Sequence, residues 1–217
     1  GNTTPAVTVS AVEACPRYLL QSISNIDRSI DTPKWMTDAL VQSGLRSHNF
    51  LVDVTNYVLM ELGQPLHAFD ADTIEGDIVV RLAQPAETIT LLNEQTITLT
   101  GDELLIADDK GALALAGIMG GQRSSVTDST TNIVLESAFF NPLAIAARAR
   151  RFGLHTDASQ RFERGVDFEL PALALARAVD LITSVTGSQA GQIVKVENIV
   201  HLPTRTPITL PISKVRE

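Results

Sequence analysis

The sequence predicts an α+β protein in which short strands build β-sandwich-like sheets and helices pack against them. Two observations carry this expectation. From Asp77 to Ala116, five short runs of strand-forming residues alternate with polar turns. On either side, from Thr32 to Gly63 and from Asn141 to Gly187, apolar residues recur at helical spacing between capping and stop residues. Several short strands in series imply a sandwich or a partly closed barrel.

Composition bounds the answer further. At 217 residues the chain can bury one sizeable core or two closely packed subdomains, and 44% hydrophobic with 19% charged residues describes a soluble globular protein. No apolar run approaches the ~18 residues needed to span a bilayer, so no membrane partner is expected. Neither a basic n-region nor an apolar h-region opens the chain, so no signal peptide is visible. Cys15 is the single cysteine, which excludes an intramolecular disulfide and a cysteine-built metal site; a reducing, cytoplasmic setting fits best. A net charge of -8 argues against a protein that grips DNA or RNA over its whole surface, so any RNA contact should be local. Both ends read as cut. Residues 1–9 are expected to be cloning residues or a preceding linker, 10–200 the domain, and 201–217 the start of a following module, with a strand beginning at Thr209.

Taken in order, Thr3 to Val12 and Tyr18 to Ile26 read as strands. Thr32-Pro33 opens a helix with Met36, Ala39 and Leu40 on one face and Gly44 as its stop. Arg46-Ser47-His48-Asn49 leads into a second, in which Val52, Thr55, Leu59 and Leu62 repeat until Gly63. Gln64 to Asp70 reads as a loop, because Pro65 ends helical structure and biases Gln64 to extended backbone. It places His67 among apolar residues, where a histidine is more often a satisfied structural group than a catalyst. The strands Ile78–Leu82, Thr88–Leu91, Gln95–Leu99, Leu104–Ala107 and Ala112–Ala116 suggest an antiparallel meander.

Gly117-Ile118-Met119-Gly120-Gly121 follows directly. Its spacing is neither a dinucleotide fingerprint nor a Walker loop. Such glycines suit either a pocket floor of exposed peptide N–H groups or a tight structural turn. Asn132 to Phe140 reads as a strand that places Glu136 on the same face as Val134, Ala138 and Phe140. A carboxylate there either sits at a solvent edge or awaits a ligand donor, since burial without a partner is costly.

Asn141-Pro142 caps a helix that Gly153 stops, and Thr156 or Asp157 caps a second short helix. Hydroxyl, carboxylate and free N–H groups converge there, either for a polar ligand or simply as a cap. Arginines 148, 150, 151, 161 and 164 concentrate positive charge around it, as a phosphate-contacting patch or as surface ion pairs with Asp157, Glu163 and Asp167. Pro171 to Thr186 is a long helix with Leu173, Leu175, Val179, Ile182 and Val185 as core candidates and Gly187 as its stop; Gln192 to Val196 closes a sheet. His48, His67, His155 and His201 show no metal spacing, and no nucleophile elbow is present. The chemistry alone supports a binding pocket and admits hydrolysis.

Three segments carry a resemblance. Arg148 through Asp167, with Arg161-Phe162-Glu163-Arg164-Gly165-Val166-Asp167, together with Ala116 to Gly121 and Gln64 to Asp70, resembles the central editing domain of the bacterial phenylalanyl-tRNA synthetase β subunit over roughly residues 10 to 200. The resemblance implies an α+β domain about a β-sandwich of unusual topology, within an α2β2 enzyme whose aminoacylation site, with its ATP and magnesium, lies elsewhere. It implies no cofactor or metal in this domain. The implied activity is hydrolysis of tyrosine mischarged onto tRNA(Phe), with the tRNA 3′ end and the synthetase α subunit as partners. Glu136 then matches the carboxylate that accepts from the tyrosine hydroxyl, and Gly117, Gly120 and Gly121 the adjoining wall. His67 matches the histidine near the ester and its attacking water. Thr156 and Ala158 match the amino-acid end of the pocket, with N–H groups there for the oxyanion, and Arg46 a pocket-side polar residue. Two alternatives stand beside this: a non-catalytic structural and tRNA-docking module, and a free-standing amino-acid binding protein.

Overall fold

A computed structural model describes residues 3–211. Strands β1 (Val7–Val9) and β2 (Arg17–Ser24) precede helices α1 (Lys34–Gln42) and α2 (Phe50–Leu62). Then come β3 (Leu66–Asp70), β4 (Ile78–Leu82), the hairpin β5 (Thr88–Thr90) and β6 (Thr96–Thr98), β7 (Leu104–Asp108), β8 (Gly111–Leu115) and the short β9 (Met119–Gly120). Strand β10 (Ile133–Phe139) leads to α3 (Pro142–Arg151), α4 (Asp157–Arg164), α5 (Leu170–Thr186) and β11 (Gln189–Glu197).

A four-stranded sheet, β11-β2-β10-β3, separates two cores. Alternation along each strand sends successive side chains to opposite faces. On one face Leu19, Ile23, Ile133 and Leu135 pack against Met36 and Leu40 of α1, Phe50, Val54 and Val58 of α2, and Leu175, Ala178 and Ile182 of α5. On the other, Tyr18, Leu20, Phe69, Val134 and Ala138 meet the five-stranded sheet β1-β4-β7-β8-β9 and the inner side chains Ile145 of α3 and Phe162 of α4. The α+β sandwich expected from the sequence is present. The β4-β7-β8-β9 run is the antiparallel meander; the β5-β6 hairpin leaves it as a separate two-stranded sheet, and β1 joins β4 in parallel.

Helix boundaries follow their caps. Asn49 accepts from the Val52 N–H to open α2, and Gly63 closes it at φ 75°. Asn141 accepts from the Leu143 N–H ahead of Pro142, and Gly187 stops α5 at φ 67°.

Several expectations need correction. Leu66 to Asp70 is a strand rather than a loop: Pro65 lies just outside it, and from Leu66 on the backbone pairs with β10. Gln64, fully buried, donates its side-chain amide to the Ala138 carbonyl at 2.9 Å and so anchors the entry where Pro65 has no N–H to give. The buried stripe of α2 runs through Phe50, Leu51, Val54, Val58 and the expected Leu59, and of the expected residues only Val52 is turned out to solvent. Leu173 is likewise exposed, and Ala174 takes its place in the core. Residues 7–9 are part of the five-stranded sheet rather than a linker, and the first strand covers only those three residues of the expected Thr3–Val12. The strand expected from Thr209 runs into residues 212–217, outside the described residues; the described part, through 211, has no strand.

Candidate functional site

Strand register brings the two most informative side chains together. Glu136 of β10 and His67 of β3 are direct cross-strand partners, and both look into the space between the sheets. Directly opposite residues on an antiparallel pair have Cβ atoms only about 5 Å apart. Beyond the sheet edge the chain forms a cleft of about 60 Å³ between Pro65–His67, the Ala114–Gly120 segment, Glu136, and Ala158 with Phe162 of α4.

Glu136 is 6% exposed, so its face is interior and not a solvent edge. Its Oε2 accepts a 2.7 Å hydrogen bond from the Tyr18 hydroxyl on β2. Burial pushes the carboxyl up to about 7, although the Tyr18 hydrogen bond opposes the rise. Burial and the neighbouring carboxylate in turn push the Tyr18 phenol and the Cys15 thiol well up. The carboxylate thus has a resident donor on one oxygen, whereas Oε1 accepts from no group among the described residues.

The His67 ring packs edge-on against Phe69, with centroids 4.5 Å apart. It remains partly open to the cleft, while packing on its other sides drives its pKa down to about 4, so it is neutral at pH 7. Neither ring nitrogen has a hydrogen-bond partner among the described residues, which leaves both to water or a ligand. Gly120 makes this position possible: a Cβ there would stand 2.5 Å from the His67 Cε1 and 2.8 Å from its Nε2. Gly117, at φ 68°, turns the wall of the cleft; a Cβ there would press on Ile145, Phe140 and Phe162 at 3.0–3.1 Å.

The far wall is the N-terminus of α4. Thr156 forms a capping box with Ser159, accepting from the Ser159 N–H at 3.0 Å, and donates its hydroxyl to the Ile118 carbonyl at 2.8 Å. That second bond ties the helix to the glycine wall. The Asp157 and Ala158 N–H groups fall in the first turn, where a helix supplies no internal acceptor.

The structure therefore brings His67, Glu136, Gly117, Gly120 and Ala158 to one cleft. Thr156 stands behind it, its hydroxyl already committed to the cap and to Ile118. Gly121 turns away, because a Cβ there would meet the Leu113 carbonyl at 2.6 Å; it lines a different cleft, with Thr90 and Arg123. Arg46 is exposed in the α1–α2 connection and does not line the cleft. Tyr18 escaped sequence reasoning, as did Phe162 and Met119. The signal for Tyr18 was there: a tyrosine on an apolar strand needs an acceptor for its hydroxyl, just as Glu136 needs a donor. A larger cavity of about 340 Å³, around Asp27, Arg28, Asp31, His48 and Asp128, holds none of the expected site residues. Among the described residues no cluster of His, Cys, Asp and Glu is placed to hold a metal ion, and no helix is long and apolar enough to cross a membrane.

Comparison with known proteins gives this arrangement a context. The chain is 93% identical over 213 residues to the phenylalanine–tRNA ligase β subunit of Psychrobacter arcticus, a match that covers 98% of this chain and 27% of that protein. It is 58% identical to the β subunit of Acinetobacter baylyi, covering 94% of the chain and 26% of the relative. The chain thus spans about a quarter of the length of these curated relatives. Its fold is similar to a solved N-terminal fragment of the phenylalanyl-tRNA synthetase β subunit from Pyrococcus horikoshii, with a TM-score of 0.56 at 14% identity over 91% of this chain and 56% of that one. The family model of the B3/4 domain matches residues 14–187, a span that holds every residue of the cleft, and the chain belongs to the B3/4 domain family.

Proposed function

We propose that this domain hydrolyses the ester of tyrosine mischarged onto tRNA(Phe), as the editing segment of a cytoplasmic phenylalanine–tRNA ligase β subunit partnered by an α subunit. ATP and magnesium would serve aminoacylation elsewhere in that enzyme. The observation that carries the reading is Glu136: a buried carboxylate with one oxygen held by Tyr18 and the other without a donor, beside a neutral imidazole in a glycine-walled cleft.

Tyrosine differs from phenylalanine by one hydroxyl. An apolar pocket cannot reject that addition strongly, whereas a site built to hydrogen-bond a hydroxyl rejects the analogue lacking it. The phenol donates to Glu136 Oε1. Phenylalanine would seal that oxygen away from water without a partner, costing at least ~1–3 kcal/mol. Tyr18 holds the carboxylate in place, so selectivity rests on the second oxygen alone.

The ester carbonyl lies between His67 and the first turn of α4. Water adds to the carbonyl carbon, the bond to the ribose oxygen breaks, and the water proton passes to that oxygen. With a pKa of about 4, His67 is too weak a base to hold the proton at pH 7, so its role is to orient the water through a ring nitrogen lone pair. The Asp157 and Ala158 N–H groups meet the developing oxyanion.

The test is deacylation of Tyr-tRNA(Phe) and Phe-tRNA(Phe) by the assembled synthetase, wild type against Glu136→Ala. Selective clearance of tyrosine that collapses in the variant supports the reading. If wild type clears neither ester, the domain is a docking module and the editing reading is wrong.

A further inference from the structure

The arginines crowded between residues 148 and 164 separate into two groups. Arg148 and Arg151 pair with Asp102, Arg151 also with Glu103, and Arg150 with Glu163. Arg161 and Arg164 form no ion pair among the described residues, and the Arg161 Nε is buried without any hydrogen-bond partner. An N–H of a charged group removed from water with no acceptor is costly, so this guanidinium calls for an acceptor such as a water, an ion or a ligand oxygen.

Both arginines line a cleft of about 440 Å³. Asp157, Gln160, Arg161 and Arg164 recur at helical spacing and present one face of α4 to it, opposite the chain turn at Leu62 and Gly63. The adjoining face of the same helix carries Ala158 and Phe162 into the ester cleft, and the chain beyond Gly63 runs into Pro65, Leu66 and His67. The two clefts therefore lie side by side along the same pair of segments. Two carboxylates also border the arginine cleft. Asp167 is taken by Arg205, which leaves Asp157 against two guanidinium groups.

We propose that Arg161 and Arg164 bind the backbone phosphates of the tRNA 3′ end while its terminal ester lies at His67. The proposal rests on the editing reading and adds the anchor that reading lacks. An ester on the terminal ribose has that nucleotide's own phosphate one sugar away, so a site that holds the ester must accommodate a phosphodiester next to it. Guanidinium forks match phosphate oxygens in geometry and charge. In a chain of net charge -8, two neighbouring arginines without an ion pair among the described residues are where such a contact can form.

The test compares the holoenzyme with its Arg161→Gln and Arg164→Gln variants on two forms of Tyr-tRNA(Phe), one natural and one with its last two linkages replaced by uncharged methylphosphonates. Each substitution is expected to raise KM about tenfold on the natural RNA with kcat little changed. On the methylphosphonate RNA the wild type is already weakened, and the variants should lose nothing more. Equal losses on both RNAs, with wild-type editing intact, would overturn the phosphate site and make the arginines supports of the fold or of another domain. A wild type that hydrolyses neither RNA removes the editing reading and this inference with it.

Discussion

Glu136 of β10 sits directly opposite His67 of β3, a buried acid pushed up to about 7 facing a base pushed down to about 4. The two shifts arise from the same dry surroundings and act on stability in opposite directions. Folded, Glu136 keeps its proton up to about pH 7, and unfolded it releases it near 4.5, so the folded state binds more protons between these values. Stability should fall as pH rises across that window, by about 3 kcal/mol in all. Glu136→Gln should abolish this slope, read as denaturation midpoints from pH 4.5 to 8.

His67 contributes the reverse. The unfolded imidazole takes its proton below about 6.5 and the folded one only below about 4, so stability is lost as pH falls through that range. His67→Gln should flatten the acid limb of the same stability profile. In deacylation it should lower kcat by about 100-fold with little change in KM if, as proposed, His67 orients the attacking water.

Tyr18→Phe strips Glu136 of its resident donor. The loss should cost ~1–3 kcal/mol, more at pH 8 than at pH 5 because the ionised form suffers, and should raise the Glu136 pKa above 7. In the Glu136→Gln background the same substitution should cost less than it does alone, a coupling that a double-mutant cycle reads directly.

Gly120→Ala would place a methyl group against the imidazole at 2.5 Å. The ring must swing out of the cleft, and we expect deacylation to drop by roughly 100-fold while cooperative unfolding persists. A variant that edits at the wild-type rate would show that the His67 position is immaterial.

Ala158→Trp tests the amino-acid end. Residue 158 lies in the first turn of α4 and is only partly buried, so the fold should tolerate the change. The indole should fill the cleft and reduce Tyr-tRNA(Phe) clearance by roughly two orders of magnitude, leaving the aminoacylation rate of the holoenzyme as it was.

Much of this architecture was legible because local chemistry and tertiary packing agree. Asn49 and Gly63 bound α2, Asn141 and Pro142 open α3, and alternation put Glu136 beside Val134 and Ala138, all as the sequence reads. The failures have one cause, contacts distant in the chain. Leu66 to Asp70 looks like a loop locally because only pairing with β10, some seventy residues on, makes it a strand. The Tyr18 bond to Glu136 spans 118 residues, and no periodicity reports it. Arg46 and Gly121 showed suitable chemistry without the geometry to use it: one is out on a connection, and the other is pressed against the Leu113 carbonyl.

The central sheet divides labour by parity. Along β10, Ile133 and Leu135 seal the helical core, while Val134, Glu136 and Ala138 face the cleft side. Inherited variation can therefore retune what the cleft accepts at even-numbered positions while the odd-numbered ones keep the helices docked. A deletion of one residue in this strand would exchange the two faces at a stroke, turning the Glu136 carboxylate toward the helices and the apolar seal toward the cleft. Point changes are thus a graded route to a new specificity, and length changes in this strand are closed to it.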